Sequence, residues 1–270
     1  MVSVWARRRA APSSTDVVGA PSRVGSVRVE AVTKLFGEAS RAVHALDRLS
    51  LDVEPGQFVC VLGASGCGKS TLLNLVAGLD RPSSGRVQVE GRASLMFQDP
   101  ALFPWLTCAR NIELPLRLGG MGRAERRDRV QELLELVRLR EFASQRPHEL
   151  SGGMRQRVAL ARALGQQTDV LLMDEPFGAL DAMTRDALHD EVERIWRDRG
   201  MSVLFVTHNV REAVRLGDRV VLLSSRPGRV IAEFPVAIER PRRIDSASVA
   251  SLAATITDQL RQEVSRHGHD

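Results

Sequence analysis

Several residue types that mark particular classes of protein are scarce in this chain. Its 270 residues include no tyrosine, three cysteines and two lysines. Three scattered cysteines fit neither a disulfide framework nor a zinc site, which favours a reducing compartment. No apolar run approaches the roughly 18 residues that a membrane-spanning helix requires, and no apolar core of a secretory signal lies at the N-terminus. The composition therefore predicts a soluble, intracellular protein.

Positive charge is concentrated near the N-terminus. The formal net charge is +5, of which residues 1–29 carry +4 and residues 30–270 only +1. Residues 1–25 are rich in alanine, serine, proline and arginine, which predicts a disordered tail. Such a tail can touch anionic lipid or RNA, but a solvated tail is the favoured interpretation. The near-neutral remainder offers no basic face for phosphates, so no nucleic-acid partner is expected.

One segment has the spacing of a phosphate-binding loop. It reads Gly63-Ala64-Ser65-Gly66-Cys67-Gly68-Lys69-Ser70-Thr71, which contains the pattern Gly-x4-Gly-Lys-Ser. An apolar run at residues 59–62 predicts a buried strand before the loop, and residues 70–77 predict a helix after it. In that context the backbone N–H groups of the loop converge on phosphate oxygens at a helix N-terminus. Lys69 is expected to reach the β- and γ-phosphates, and Ser70 to bind Mg²⁺.

A second predicted strand ends in two carboxylates. The apolar run at residues 170–173 is followed directly by Asp174 and Glu175. At the carboxyl end of a parallel strand both acids face the ligand crevice. Asp174 is expected to help hold Mg²⁺, and Glu175 to orient or deprotonate the attacking water. A solvated acidic turn is the alternative, which the phosphate loop upstream disfavours.

A second helix N-terminus has the features of an anion site. The segment reads Leu150-Ser151-Gly152-Gly153-Met154-Arg155-Gln156-Arg157. Ser151 can cap the helix that follows, and the two glycines leave its first N–H groups uncovered. On local physics alone, a capped helix without a ligand is an equally acceptable interpretation.

Residues 150–157 resemble the signature motif of ABC-type ATPases, and other motifs of that family lie in the family's order. Gln98 lies in a segment that resembles the Q-loop, and Asp181 in one that resembles the D-loop. His208 resembles the switch histidine. Phe36 lies where the family places an aromatic ring against adenine, although a core position is the alternative for this residue.

Alternating strands and helices predict an α/β fold with a mostly parallel sheet, interrupted by a helical insert at about residues 99–165. The resemblance, which covers residues 27 to about 230, identifies this fold as the P-loop NTPase ABC cassette with an N-terminal antiparallel β part. It places the ATPase domain at residues 26–240. A C-terminal helical extension follows at residues 241–270.

The resemblance also implies ATP and Mg²⁺ as cofactors and a homodimer. Each ATP would lie between one subunit's phosphate loop and the other subunit's Ser151, Gly152 and Gly153. Asp181 would couple the two sites, and Phe36 would contact adenine.

Catalytic roles follow from the same resemblance. Lys69 contacts phosphates, while Ser70, Gln98 and Asp174 provide metal contacts. Glu175 is the catalytic carboxylate, and His208 contacts the γ-phosphate and positions Glu175. The other histidines have no motif context and are expected at the surface, among them His189.

Residues 98–107, 177–185 and 225–229 resemble the importer group for nitrate, taurine and alkanesulfonates. This implies an integral membrane permease, an extracytoplasmic solute-binding protein and a peripheral position at the cytoplasmic face of the cell membrane. An export-type ABC ATPase and a soluble ABC ATPase acting on nucleic acid or ribosomes are the alternatives. Residues 104–107 argue against export, and the single cassette without heptads or Cys-x2-Cys argues against the soluble class.

Overall fold

The computed structural model describes residues 25–37, 42–178 and 180–267, without the side chains of residues 266 and 267. The tail predicted at residues 1–25 therefore lies outside the described residues, apart from Gly25. In the described part, no helix is both long and apolar enough to cross a lipid bilayer.

The strands form two sheets. In chain order they are β1 (Ser26–Phe36), β2 (Val43–Val53), β3 (Phe58–Leu62), β4 (Ser84–Glu90), β5 (Ala93–Met96), β6 (Val170–Asp174), β7 (Ser202–Val206), β8 (Arg219–Leu223) and β9 (Val230–Pro235). The smaller sheet has the order β2-β1-β4 and is antiparallel. The larger has the order β5-β6-β7-β3-β8-β9, in which only the β8–β9 pair is antiparallel. The predicted α/β fold, with an antiparallel N-terminal part and a mostly parallel sheet, is confirmed.

The helices pack against the larger sheet and against one another. In chain order they are α1 (Lys69–Val76), α2 (Cys108–Leu118), α3 (Arg123–Leu136), α4 (Gly152–Leu164), α5 (Ala182–Arg199), α6 (Val210–Leu216) and α7 (Ala247–His267). Helices α2, α3 and α4 pack on one another and lie within the predicted insert. The apolar side chains Val130, Leu133 and Leu134 of α3 are buried there.

The central strands are buried on both faces, as parallel sheets require. Every residue of β3 and β7 is buried. Because side chains alternate along a strand, Phe58 and Cys60 join the core beneath α5 and α6. Val59 and Val61 join the core beneath β1, β2 and α1. This double burial fixes the C-terminal ends of the strands, where the phosphate loop and the acidic pair follow.

The C-terminal helix packs on the body of the protein. Val249, Ala253 and Ile256 of α7 are buried in the same core as Ala213 and Val214 of α6. Their spacing of three and four residues places them on one helical face, so this face is part of the hydrophobic core.

Candidate nucleotide site

The phosphate loop connects β3 to α1 and is closed by its own lysine. Gly68 has φ of 104°, and a Cβ atom there would lie 2.6 Å from the carbonyl oxygen of Ala45. Only glycine fits such a position without strain. The Lys69 ammonium donates to the carbonyl oxygens of Gly63 and Ala64 at 2.9 Å each. The side chain is 6% exposed, so a cation is held beneath the loop.

A cavity of about 500 Å³ lies beside this loop. Its walls contain Phe36, Val43, Ala45, Ser65, Gly66, Gly68, Lys69, Ser70, Thr71, Gln98, Asp174, Glu175 and Arg226. Most of the residues predicted to bind nucleotide from one subunit therefore border a single space. Gly63, Ala64 and Cys67 lie behind the wall, where the first two hold Lys69 and Cys67 is buried.

Phe36 lies at the rim of the cavity. Its side chain is 43% exposed, so the alternative of a core residue is not what the structure shows. The ammonium of Lys34 lies 4.8 Å from its ring centroid. That ammonium also donates to Asp80 at 2.6 Å, which holds it in place. The ring is available for contact with an aromatic or heteroaromatic ligand.

Asp174 ends β6 beside the loop. Burial raises the pKa of its carboxyl group, the Ser70 hydroxyl opposes this by hydrogen bonding, and the charge of Glu175 raises it further. A carboxylate and a hydroxyl are the hard oxygen ligands that Mg²⁺ prefers, completed by phosphate oxygens. The described residues contain no cluster of three or more His, Cys, Asp or Glu side chains that would hold a metal without such help. The donor set therefore fits a Mg²⁺ ion bound together with a nucleotide.

Glu175 and His208 are paired at the ends of neighbouring strands. Nδ1 of His208 lies 2.9 Å from Oε2 of Glu175. Glu175 has φ of 43°, a region that non-glycine residues rarely adopt, and its N–H donates to the carbonyl of Val206 at 2.9 Å. A strained backbone held by a neighbouring strand is common at functional sites. His208 does not line the main cavity; it joins Glu175 in a small adjoining one.

The prediction for His189 was wrong, because this side chain is fully buried. Its Nε2 lies 2.6 Å from Oε1 of Glu212, and its ring meets the ring of Phe177 edge-on at 5.3 Å. The other oxygen of Glu212 accepts a hydrogen bond from the Thr207 hydroxyl. Burial was visible in the helical spacing, since His189, Val192 and Trp196 share one face of α5.

Helix α4 is bonded to the backbone that carries Gln98. The amide of Gln156 donates to the carbonyl of Gln98 at 2.9 Å. Arg162 donates to the carbonyls of Pro100 at 2.6 Å and Ala101 at 2.8 Å. Helix α4, which begins in the residues that resemble the signature motif, is thereby hydrogen-bonded to the backbone of a residue of the cavity wall.

Ser151, Gly152, Gly153 and Asp181 do not line the cavity of their own chain. Ser151 caps α4, accepting from the N–H of Met154 at 3.2 Å. Asp181 caps α5, and hydrogen bonds from Thr184 lower its pKa.

Gly153 packs tightly against α5. A Cβ atom there would lie 2.3 Å from the methyl group of Thr184, so a larger residue would force the two helix starts apart.

Arg226 is the charged residue of the wall that sequence reasoning did not assign to the site; Val43 and Ala45 are the unassigned apolar residues. The one signal for Arg226 was its place in residues 225–229. Its Nε donates to the carbonyl of Gly66 at 3.0 Å, across 160 positions of sequence.

Comparison with known proteins identifies the family. The model of the ABC transporter family matches residues 46–178. The taurine import ATP-binding protein of Rhizobium johnstonii is 47% identical over 233 residues, which cover 83% of this chain and 88% of that relative. The aliphatic sulfonates import ATP-binding protein of Burkholderia lata is 46% identical over 240 residues, 87% of this chain and 72% of the relative. The nitrate import ATP-binding protein of a Synechocystis species is 45% identical over 213 residues, 76% of this chain and 80% of the relative.

Solved structures agree with the sequence matches. A dimeric ATP-binding cassette in a post-hydrolysis state, bound to ADP and Pi, is 33% identical with a TM-score of 0.70 and covers 79% of this chain and 100% of its own. A second dimeric structure, of a bacterial ABC transporter cassette, is 34% identical with the same TM-score and coverage. This chain belongs to the ABC transporter family of ATP-binding cassettes, and it is an ABC-type ATPase that uses ATP and Mg²⁺.

Proposed function

We propose that the chain is the ATP-hydrolysing subunit of a membrane importer for a small anion such as nitrate, taurine or an aliphatic sulfonate. Relatives that are 45–47% identical carry these solutes in their names. The subunit works as a homodimer at the cytoplasmic face of the cell membrane, bound to an integral membrane permease. An extracytoplasmic solute-binding protein delivers the anion, and the ATPase itself does not contact it.

The proposed roles in hydrolysis follow from the geometry of the cavity. Lys69 is the buried cation that meets the β- and γ-phosphates, and N–H groups of residues 63–71 surround them. Ser70, Gln98 and Asp174 would hold Mg²⁺, which would neutralise part of the phosphate charge. Glu175 orients the attacking water and accepts its proton. His208 holds the Glu175 carboxylate through the 2.9 Å contact.

A second subunit completes each site in this proposal. The capped start of α4, at Ser151 to Gly153, does not line the cavity of its own chain, yet it is a helix N-terminus with uncovered N–H groups. Asp181 lies at the start of α5, next to these glycines. Both solved cassettes that resemble this chain are dimeric, which supports a homodimer. In the dimer that we propose, one chain's helix start faces the other chain's phosphate loop.

The observation that carries the transport assignment is a rigid aromatic turn just beyond Gln98. Trp105 is 68% exposed, and its ring centroid lies 5.4 Å from that of Phe103. The buried side chain of Asn111 fixes the turn, since it accepts from the N–H of Phe103 at 2.9 Å and donates to the carbonyls of Phe103, Leu106 and Thr107. Exposed aromatic rings on a fixed backbone are typical anchors of a protein interface.

The turn is also joined to the nucleotide cavity. Arg162 fixes Pro100 and Ala101, which lie between Gln98 and the turn. A shift of Gln98 on loss of the γ-phosphate would therefore reach Trp105 through a short, bonded segment. This is the arrangement that coupling to a permease requires.

The test is copurification. A tagged Glu175→Gln chain, with ATP present, is recovered from detergent-solubilised membranes, and the proteins that accompany it are identified. We expect a multi-spanning permease together with a solute-binding protein, and loss of both when Trp105→Ala is added. Leu79→Ala, which removes another exposed apolar side chain, is the matched control and should recover both. Recovery of ribosomes, DNA or soluble partners alone, or of a permease that works in export, contradicts the proposal.

A further inference from the structure

A turn between β8 and β9 lies directly against the phosphate loop. The turn is closed on itself, since the N–H of Ser224 donates to the carbonyl of Arg229 at 2.9 Å. It is also bonded to β2, because the N–H of Gly228 donates to the carbonyl of Ala45 at 2.9 Å. Its backbone touches the loop so closely that a Cβ atom at Gly228 would lie 2.3 Å from the carbonyl oxygen of Cys67. The turn is therefore a fixed support for the loop.

One peptide unit of the phosphate loop is held from both sides. Arg226 donates through Nε to the carbonyl of Gly66 at 3.0 Å. On the same peptide unit, the N–H of Cys67 donates to the carbonyl of Ala64 at 3.3 Å. Gly66 has φ of +75°, and a Cβ atom there would lie 3.1 Å from Nη2 of Arg226. The loop conformation and the guanidinium position are thus adapted to each other.

Arg226 also contributes charge to the cavity. Among the described residues of the wall, the cationic side chains are Lys69 and Arg226, and the acidic side chains are Asp174 and Glu175. A nucleoside di- or triphosphate adds several negative charges to this space. Lys69 alone balances few of them, so a second cation in the wall of the cavity favours binding.

We propose that Arg226 is a positioning residue for the nucleotide. It fixes the Gly66 carbonyl, so that the other N–H groups of the loop stay free for phosphate oxygens, and it adds positive charge beside them. The role rests on the proposed assignment of residues 63–71 as the phosphate site. Arginine suits it better than lysine because its planar head donates from several fixed directions.

The experiment measures ADP binding by calorimetry at constant Mg²⁺. Arg226→Ala is expected to weaken ADP binding about tenfold, the effect of losing one charge-assisted hydrogen bond. Arg226→Lys should fall between wild type and alanine. Arg229→Ala is the matched control, since Arg229 lies on the same turn but pairs with Asp47. It should bind ADP within about twofold of wild type, as expected for an exposed ion pair.

A second readout separates positioning from a general loss of structure. In the protein without nucleotide, amide hydrogen exchange of residues 63–68 should be faster in Arg226→Ala and unchanged in Arg229→Ala. In steady state, the KM for ATP should rise in Arg226→Ala while kcat stays within about twofold, because ground-state binding is lost. If the alanine variant does not fold, Arg226→Lys is compared with wild type and with Arg229→Ala in its place.

The outcomes are distinct. Unchanged ADP affinity in Arg226→Ala, or an equal loss in Arg229→Ala, overturns the role of Arg226 and leaves the phosphate site standing. A wild-type chain that does not bind ADP overturns the assignment of residues 63–71, and the role of Arg226 with it.

Discussion

Nε2 of His189 lies 2.6 Å from Oε1 of Glu212, and both side chains are buried. Since a carboxylate only accepts, the imidazole donates this hydrogen bond. Glu212 accepts a second bond from the hydroxyl of Thr207, the residue before His208. These two hydrogen bonds join the start of α6 to the middle of α5 and to the residue before His208, a member of the proposed catalytic pair.

We expect His189→Leu to lower the free energy of unfolding by about 1–3 kcal/mol, because a buried oxygen of Glu212 loses its donor. His189→Gln keeps a donor at a similar distance and should recover most of that loss. Denaturant unfolding at neutral pH compares the two variants. Equal stabilities of the Leu and Gln variants would show that the hydrogen bond contributes nothing beyond packing.

Removing the charge of Glu175 should stop turnover without stopping binding. Glu175→Gln is expected to lower kcat by roughly 10²–10⁴, the usual contribution of a general base, and to leave an ATP-bound dimer. Turnover is measured as the release of phosphate, and dimer formation is measured by light scattering in the presence of ATP. Glu90→Gln, at an exposed position, is the matched control and should hydrolyse ATP like wild type without accumulating a long-lived ATP-bound dimer. Undiminished hydrolysis in Glu175→Gln would remove this residue from its proposed role.

How far the sequence predicts this molecule depends on how local each feature is. The phosphate loop and the acidic end of β6 are contiguous, so spacing and strand context define them. Strand β5 has four residues, and β9 presents the apolar Ile231 outward, so neither sequence shows a clear alternation of apolar and polar residues, although burial alternates along both strands. The limits of the insert and of the C-terminal extension stay predictions.

Contacts between remote parts of the chain escape such reasoning. Arg226 reaches Gly66 across 160 positions, and His189 reaches Glu212 across 23. Each depends on how strands and helices pack, and no local pattern encodes the partner. The surroundings of Ser151 and Asp181 are still harder to predict from sequence, since their proposed ligand lies on a second subunit.

Asp174 should show a conflict between stability and function. Burial is the main cause that raises the pKa of its carboxyl group, with the charge of Glu175 adding to it. A carboxyl group whose pKa is higher in the folded state favours folding at low pH, and this contribution is lost as pH rises through the folded-state pKa. At pH 7.5 the ionised group therefore lowers stability in the protein without nucleotide.

Asp174→Asn removes that cost. We expect its Tm without nucleotide to exceed that of wild type at pH 7.5, and the difference to shrink as pH falls toward about 4, where an unfolded aspartate is itself protonated. The rise in Tm on adding Mg²⁺ and ATP should be smaller in the variant, since a proposed metal ligand is lost. Asp52→Asn, at an exposed site, is the control. A pH-independent difference would contradict the role of the buried charge.

Arg162 should matter more for coupling than for hydrolysis itself. Its guanidinium bonds the carbonyls of Pro100 and Ala101, a fork that a single ammonium does not reproduce. We expect Arg162→Lys to keep basal ATPase within about twofold but to lose most of the stimulation by permease in a reconstituted complex, because Gln98 and the Trp105 turn are no longer rigidly joined. In the isolated chain, amide exchange of residues 99–103 should be faster. Arg197→Lys, exposed on α5, is the matched control. Full stimulation in Arg162→Lys would mean that the connection from cavity to turn does not pass through α4.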